Sequence, residues 1–147
     1  MAMSADPANI PSADILIVED EALVALMMEE ILTGAGYRVC GIAESPPAAR
    51  RLAAKHAPSH AVIDVRLARG GDGIALAAAL AASSTIGILF ATGNPGEVRQ
   101  RAAAGHGCLA KPFEPDCLIA AIQAVQHGRA STANILGFFA LPVQGER

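Results

Sequence analysis

Five short apolar runs, each followed by a segment of helical length, constrain this chain more than any other feature of it. The runs are Asp14–Val18, Tyr37–Ile42, Ala61–Val65, Thr85–Ala91 and Gly105–Ala110. They are rich in β-branched and aliphatic residues and show little polar alternation, which fits strands covered on both faces. The segments between them read as helices. Glu21–Leu32 places Leu23, Met27, Ile31 and, offset, Leu26 on one expected apolar face. Ser45 followed by Pro46 reads as a cap with proline in the first turn, opening a helix to about His56 with Leu52 as its main apolar anchor. An Ala-rich helix is expected over Ile74–Ala82, and a short one from Asn94 and Pro95 to about Ala103. The last runs from Glu114 or Pro115 to Gln126, and Gly128 ends it.

Strand and helix thus alternate five times. That pattern predicts an α/β fold with helices on both faces of a parallel sheet. Right-handed crossovers leave few topologies, and the common one for five strands is the doubly wound, flavodoxin-like (βα)5 arrangement with strand order 2-1-3-4-5. Residues 1–13, small and polar with Pro7 and Pro11, are expected to form a flexible leader, and residues 14–128 the domain itself. Residues 129–147 form a C-terminal tail too short for an output domain, with an apolar stretch Ile135–Val143 that includes Phe138 and Phe139. Ordered packing of this tail is expected, over its own domain or between chains, as a homodimer or against a docking partner, because two exposed phenylalanines would form an apolar patch.

Composition narrows the function. With 147 residues, 52% hydrophobic and 17% charged, the chain has the makeup of one globular domain. A net charge of -3 and 3% aromatics argue against nucleic acid as a partner. Cys40, Cys108 and Cys117 are widely spaced, which fits free thiols in a reducing compartment better than a disulfide framework or a zinc site. Every apolar run is interrupted well short of about 20 residues, so no membrane span is expected. No signal-peptide pattern is seen, and a cytoplasmic protein is the expectation.

In an open parallel sheet, sites form beyond the C-terminal ends of the strands. Glu19 and Asp20 follow the first strand, Asp64 ends the third, Thr92 follows the fourth and Lys111 the fifth. The fold therefore collects three carboxylates, a hydroxyl and an ammonium in one place. Clustered carboxylates need raised pKa values or a cation. An all-oxygen set with open positions suits Mg²⁺, which keeps waters and accepts a phosphate oxygen. Lys111 offers a point charge and Thr92 a hydrogen bond to further oxygens. The set reads as a site where a carboxylate carries or attacks a phosphoryl-like anion. Each residue has a plainer role open to it. Asp64 can be a loop-capping carboxylate, Thr92 a turn residue and Lys111 a solvated lysine. Glu19, Asp20 and Glu21 can serve the first helix's dipole, with Asp20 expected to do both jobs and Glu21 only the capping. Cys108 is expected to be a small apolar filler. His56, His60, His106 and His127 are scattered and receive no metal or phosphotransfer role.

ILIVEDE (Ile15–Glu21), the strand-ending acid of AVIDVRL (Ala61–Leu67), FATG (Phe90–Gly93) and Lys111-Pro112-Phe113 occur in this order at the expected strand ends. On these motifs the chain, from about Asp14 to Gln126, resembles the receiver domain of bacterial two-component response regulators, of single-domain type. The resemblance implies that Asp64 is the phosphoacceptor, that Asp20 binds Mg²⁺ directly and Glu19 through water, and that the backbone carbonyl of Arg66 is a further metal ligand. It implies that Thr92 and Lys111 hold phosphoryl oxygens and that the Lys111-Pro112 bond is cis. The implied partners are a sensor histidine kinase or phosphotransfer protein as donor and a downstream protein target that the sequence does not name. The implied output face is the fourth helix, fifth strand and fifth helix. The chain would catalyse only its own phosphorylation and dephosphorylation and is not expected to be an enzyme acting on an external substrate. The chain departs from the pattern at Cys108, where the family usually carries a switch aromatic, at Ala68, where proline is frequent, and at Asn94-Pro95, where an aromatic follows FATG in a single-domain subgroup. Cys108 and the missing aromatic motivate an alternative, an interaction module that works without phosphorylation. A small metal-dependent phosphatase ranks last, since the sequence shows no substrate-binding insertion.

Overall fold

The computed structural model describes residues 13–142. The expected leader, apart from Ala13, and the end of the tail from Val143 lie outside the described residues. Six strands form the main sheet: β1 (Asp14–Val18), β2 (Arg38–Ala43), β3 (His60–Ile63), β4 (Gly87–Thr92), β5 (Gly107–Ala110) and β6 (Phe138–Ala140). Five α-helices accompany them: α1 (Ala22–Gly34), α2 (Pro46–His56), α3 (Gly73–Ser83), α4 (Pro95–Arg101) and α5 (Pro115–Gln126). β1 to β5 pair in parallel in the expected order 2-1-3-4-5. β6, from the tail, extends this order by pairing antiparallel with the outer edge of β5. The described part of the tail therefore packs on its own domain.

Alternate residues of each central strand enter opposite cores, which is why the strands read as continuous apolar runs. Leu16, Val18, Ile63, Ile88 and Phe90 face α2, α3 and α4 through Ala49, Leu76 and Val98. Ile15, Ile17, Val62, Leu89 and Leu109 face α1 and α5 through Met28, Leu32, Leu118 and Ile122. Each such side chain, fully buried, contributes roughly 1.5–3 kcal/mol to folding.

Strand bounds move by a few residues where partners limit pairing. β4 starts at Gly87, opposite His60, and β5 at Gly107, opposite Leu89, so Thr85, Ile86 and Gly105 lie before the ladder. β3 ends at Ile63, and Asp64 is the first residue beyond it. α4 stops at Arg101 rather than reaching Ala103.

The expected apolar face of α1 is the larger correction. Leu23, Leu26 and Met27 are exposed, and Ile31 is only half-buried. The buried stripe is Ala25, Met28 and Leu32. The helix is apolar around most of its circumference, so spacing alone does not choose the face. Packing against β1 and α5 favours the stripe carrying the small Ala25.

Capping follows the sequence at α2, where the Ser45 hydroxyl accepts from the Ala48 N–H at 3.4 Å. α3 has a cap the sequence reading did not find: Asp72 accepts from the N–H groups of Ile74 and Ala75 at 3.0 and 3.2 Å. The loop before it is a two-strand ribbon, Arg66–Leu67 against Gly71–Asp72, turned by Arg69 and Gly70 at φ 56° and 74°.

Candidate functional site

The C-terminal ends of β1, β3, β4 and β5 lie side by side, so the residues just beyond them share one pocket. Glu19, Asp20 and Asp64 each offer a carboxylate oxygen within 4.8 Å of the others. Glu19 is 1% exposed, Asp64 9% and Thr92 0%, whereas Asp20 is exposed at the rim. Parallel pairing sets these positions: the Glu19 N–H donates to the Ala43 carbonyl and the Asp64 N–H to the Val18 carbonyl, both at 2.9 Å. The ladders therefore carry past the strand ends into the site.

Lys111 joins the two buried acids. Its ammonium donates to Asp64 Oδ2 at 2.9 Å and to Glu19 Oε1. Burial disfavours the ammonium, but the hydrogen bonds and charges of Glu19 and Asp64 outweigh it and hold the Lys111 pKa above its usual value. Burial raises the Glu19 carboxyl above the ordinary glutamate range, against the lowering effect of Lys111 and of the Glu21 N–H. Asp64 Oδ1 accepts from the N–H of Val65 at 2.7 Å, a contact that orients the carboxylate and that no motif signals.

Thr92 ends β4 beside Lys111, whose N–H donates to the Thr92 carbonyl at 2.9 Å. The Thr92 hydroxyl accepts from the Asn94 N–H at 3.0 Å, which leaves its proton for another acceptor. The Lys111-Pro112 bond is cis, in line with the resemblance. Arg66 is exposed, and its guanidinium reaches Glu97 of α4 at 3.3 Å. Of the acid run, Glu21 is the N-cap of α1 but makes no side-chain cap bond, and no acid lies in the first turn. Glu19 instead accepts from the Glu21 N–H at 3.2 Å.

Gly73 is a site residue that no motif of the sequence singles out. A Cβ there would stand 1.8 Å from the Asp64 carbonyl oxygen. The start of α3 thus presses on the backbone of Asp64, and the Gly73 N–H donates to the Val65 carbonyl at 2.7 Å. Nothing in the local pattern distinguishes this glycine from Gly70 or Gly71, because the close approach is long-range.

Cys108 is fully buried in β5, and burial pushes its thiol up to about 12, which fits a filler and not a reactive thiolate. His60 and His106 lie near the opposite end of the sheet, where His60 Nδ1 meets the Ser59 hydroxyl at 2.9 Å and His106 Nδ1 accepts from the Ile88 N–H at 3.1 Å. Among the described residues, the one cluster of three metal-competent acids is Glu19, Asp20 and Asp64. Its donors are all oxygens, two buried and one open to water, which fits a hard divalent cation that keeps part of its hydration.

Comparison with known proteins agrees with the fold. The transcriptional regulatory protein PdtaR of Mycobacterium tuberculosis is 37% identical over 123 residues, covering 81% of this chain and 60% of that protein. The crystal structure of the response regulator PhyR from Brucella abortus superposes with a TM-score of 0.72 at 31% identity, over 82% of this chain and 51% of that one. The receiver (REC) domain of Erythrobacter litoralis PhyR, at 24% identity, shares the fold with a TM-score of 0.74 and is covered over 97% of its length. The chain thus spans less than two thirds of the curated relative it matches. No described helix is long and apolar enough to cross a membrane. The response regulator receiver domain model matches residues 15–123, and the chain belongs to that family.

Proposed function

We propose that this chain is a phosphoacceptor switch of a two-component phosphorelay, in which Asp64 takes a phosphoryl group from the phosphohistidine of a sensor histidine kinase or phosphotransfer protein. The observation that carries the reading is Lys111 bridging Glu19 and Asp64 inside the three-carboxylate cluster. Asp64 Oδ2 is the attacking oxygen, and Val65 N–H on Oδ1 keeps the carboxylate aimed. Lys111 leaves its contact with Asp64 to neutralise a phosphoryl oxygen, and the free Thr92 proton serves another. Positioning and charge supply most of the rate. Glu19, Asp20, Asp64 and the Arg66 carbonyl would hold Mg²⁺, which when bound neutralises charge on the transferring group. Drawing Thr92 toward the acyl phosphate pulls its hydroxyl from the Asn94 N–H and so biases the start of α4. Output passes through protein–protein contact, in a cytoplasmic setting that suits three free cysteines.

A second reading, constitutive binding without phosphorylation, is favoured by one observation. Cys108 occupies the place of the family's switch aromatic, is fully buried and faces Phe139 across the ladder. The test is intact mass after incubation with Mg²⁺ and a small acyl-phosphate donor. The switch requires a single phosphate adduct that EDTA prevents and that Asp64→Ala lacks. No adduct from small donors or from phosphorylated kinases would make the binding module the leading account, as would a partner that holds Asp64→Ala as tightly as the phosphorylated chain.

A further inference from the structure

The tail strand is not a chance cover on the sheet edge, because the domain beneath it is shaped to receive it. β6 pairs Phe139 with Cys108 and Phe138 with Leu109. The ladder is closed at both ends: the Ala110 N–H donates to the Gly137 carbonyl at 2.9 Å, and the Leu141 N–H to the His106 carbonyl at 3.0 Å. Phe138, Phe139 and Leu141 each also meet a body residue that is small or lacks a side chain. The Phe138 ring fills the space above Gly107, where an added Cβ would lie 2.6 Å from it. Leu141 lies 3.2 Å from the Cβ position of Gly105. Phe139 packs over Cys108, which pairs in turn with Phe90 on β4, so Phe90, Cys108 and Phe139 form one row across three strands. The Arg99 guanidinium of α4 sits 3.7 Å from the centre of the Phe139 ring, a cation–π contact.

α4 links this strap to the phosphoacceptor. One side of α4 is tied to the segment after Asp64, by Arg66 to Glu97 at 3.3 Å and by Arg101 to Asp72 at 2.5 Å. Its other side carries Arg99 over the strap. Its N-terminus follows the Thr92–Asn94 contact. The strap is short and the three residues of β6 are only partly buried, so its hold is within reach of a modest shift of α4.

We propose that the outer edge of β5 is a strand-docking site with a ring slot over Gly107 and a cation over a second aromatic. Its resting occupant is the chain's own Gly137–Leu141 segment, and phosphorylation at Asp64 releases that segment by moving α4. The docking site stands on packing alone, whereas the release rests on the phosphoacceptor reading above. Release bares a row of backbone donors and acceptors together with Phe138 and Phe139, a surface suited to an extended segment with adjacent apolar side chains. While bound, the strap competes with any such partner at the high effective concentration of a tethered ligand.

Hydrogen exchange by mass spectrometry on the full chain tests both parts. Gly107→Val, with no ligand, is expected to speed exchange in residues 107–110 and 138–141 by at least about tenfold while β1 and β3 stay protected. If that variant does not fold, Phe138→Ala takes its place with the same expectation. Exchange as fast in the wild type as in the variant would mean that the strap is not docked and overturns the site. Adding Mg²⁺ and beryllofluoride, a phosphoryl analogue, to the wild type is expected to give a similar rise in the same two segments. Slower or unchanged exchange there, with altered exchange around Asp64 and Thr92, overturns the release. If beryllofluoride changes nothing around Asp64 and no phosphate adduct forms, the phosphoacceptor reading and the release fall together. The docking site is then judged on the variant alone.

Discussion

Gly73→Ala sets two effects of known sign against each other. Gly73 is the first residue of α3, and replacing glycine by alanine in a helix gains up to about 1 kcal/mol from backbone entropy. Against this stands the 1.8 Å separation between the new Cβ and the Asp64 carbonyl oxygen. Real Cβ contacts essentially never fall below 3.0 Å, so α3 and the Asp64 backbone must part by at least about 1.2 Å, the difference of those two distances. The obstructing atom is backbone, so no rotamer change relieves it. The Ile63 side chain, at 3.1 Å, closes another direction. Overpacking of this kind costs about 1–3 kcal/mol or more, and the stretched Gly73–Val65 hydrogen bond adds about 1 kcal/mol. The clash wins, for a net destabilisation of about 2 kcal/mol and a drop in the thermal midpoint of roughly 4–8 °C. The moved atom belongs to the phosphoacceptor's own backbone, so phosphorylation by a small donor should slow as well, by roughly tenfold or more. Urea unfolding and the rate of phosphate adduct formation measure the two effects separately. A variant within about 0.5 kcal/mol of wild type that phosphorylates at the wild-type rate would refute the tight approach of α3 to Asp64.

Three further outcomes follow from the same structure. Lys111→Met should slow adduct formation by roughly 10²-fold or more, since it removes the cation that meets the phosphoryl oxygen; an unchanged rate would remove Lys111 from the site's chemistry. Met28→Ala should cost about 2–5 kcal/mol, while Leu23→Ser should stay within about 0.5 kcal/mol, and the reverse order in urea unfolding would restore the α1 face expected from spacing. Burial, joined by the nearby charges of His106 and His127, lowers the pKa of His60. The unfolded chain then binds the extra proton first, so stability is full above the ordinary histidine value of 6.5 and declines as pH falls below it toward the lower folded value. His60→Gln should flatten the change in urea midpoint between pH 7.5 and 5.5 (values on either side of about 6.5), and an equal slope in both proteins would exclude His60 as a contributor.

The sequence by itself determined the five βα units, the order 2-1-3-4-5 and the placing of Glu19, Asp20, Asp64, Thr92 and Lys111 at one end of the sheet. The reason is that strand period, helix punctuation and crossover handedness are local rules, and in a parallel sheet they leave one place for strand-end residues to meet. Tertiary structure alone decided which side of α1 is buried, because a helix apolar on most sides carries no signal that breaks the tie. It decided that Gly73 must be glycine, since the atom that excludes a side chain comes from β3's end and not from its neighbours in sequence. It also decided the fate of the tail. Phe138-Phe139 shows only that something must cover two aromatics. That the cover is the edge of β5, with Gly107, Cys108 and Arg99 fitted to it, depends on contacts between residues some thirty or more positions apart, which no local pattern specifies.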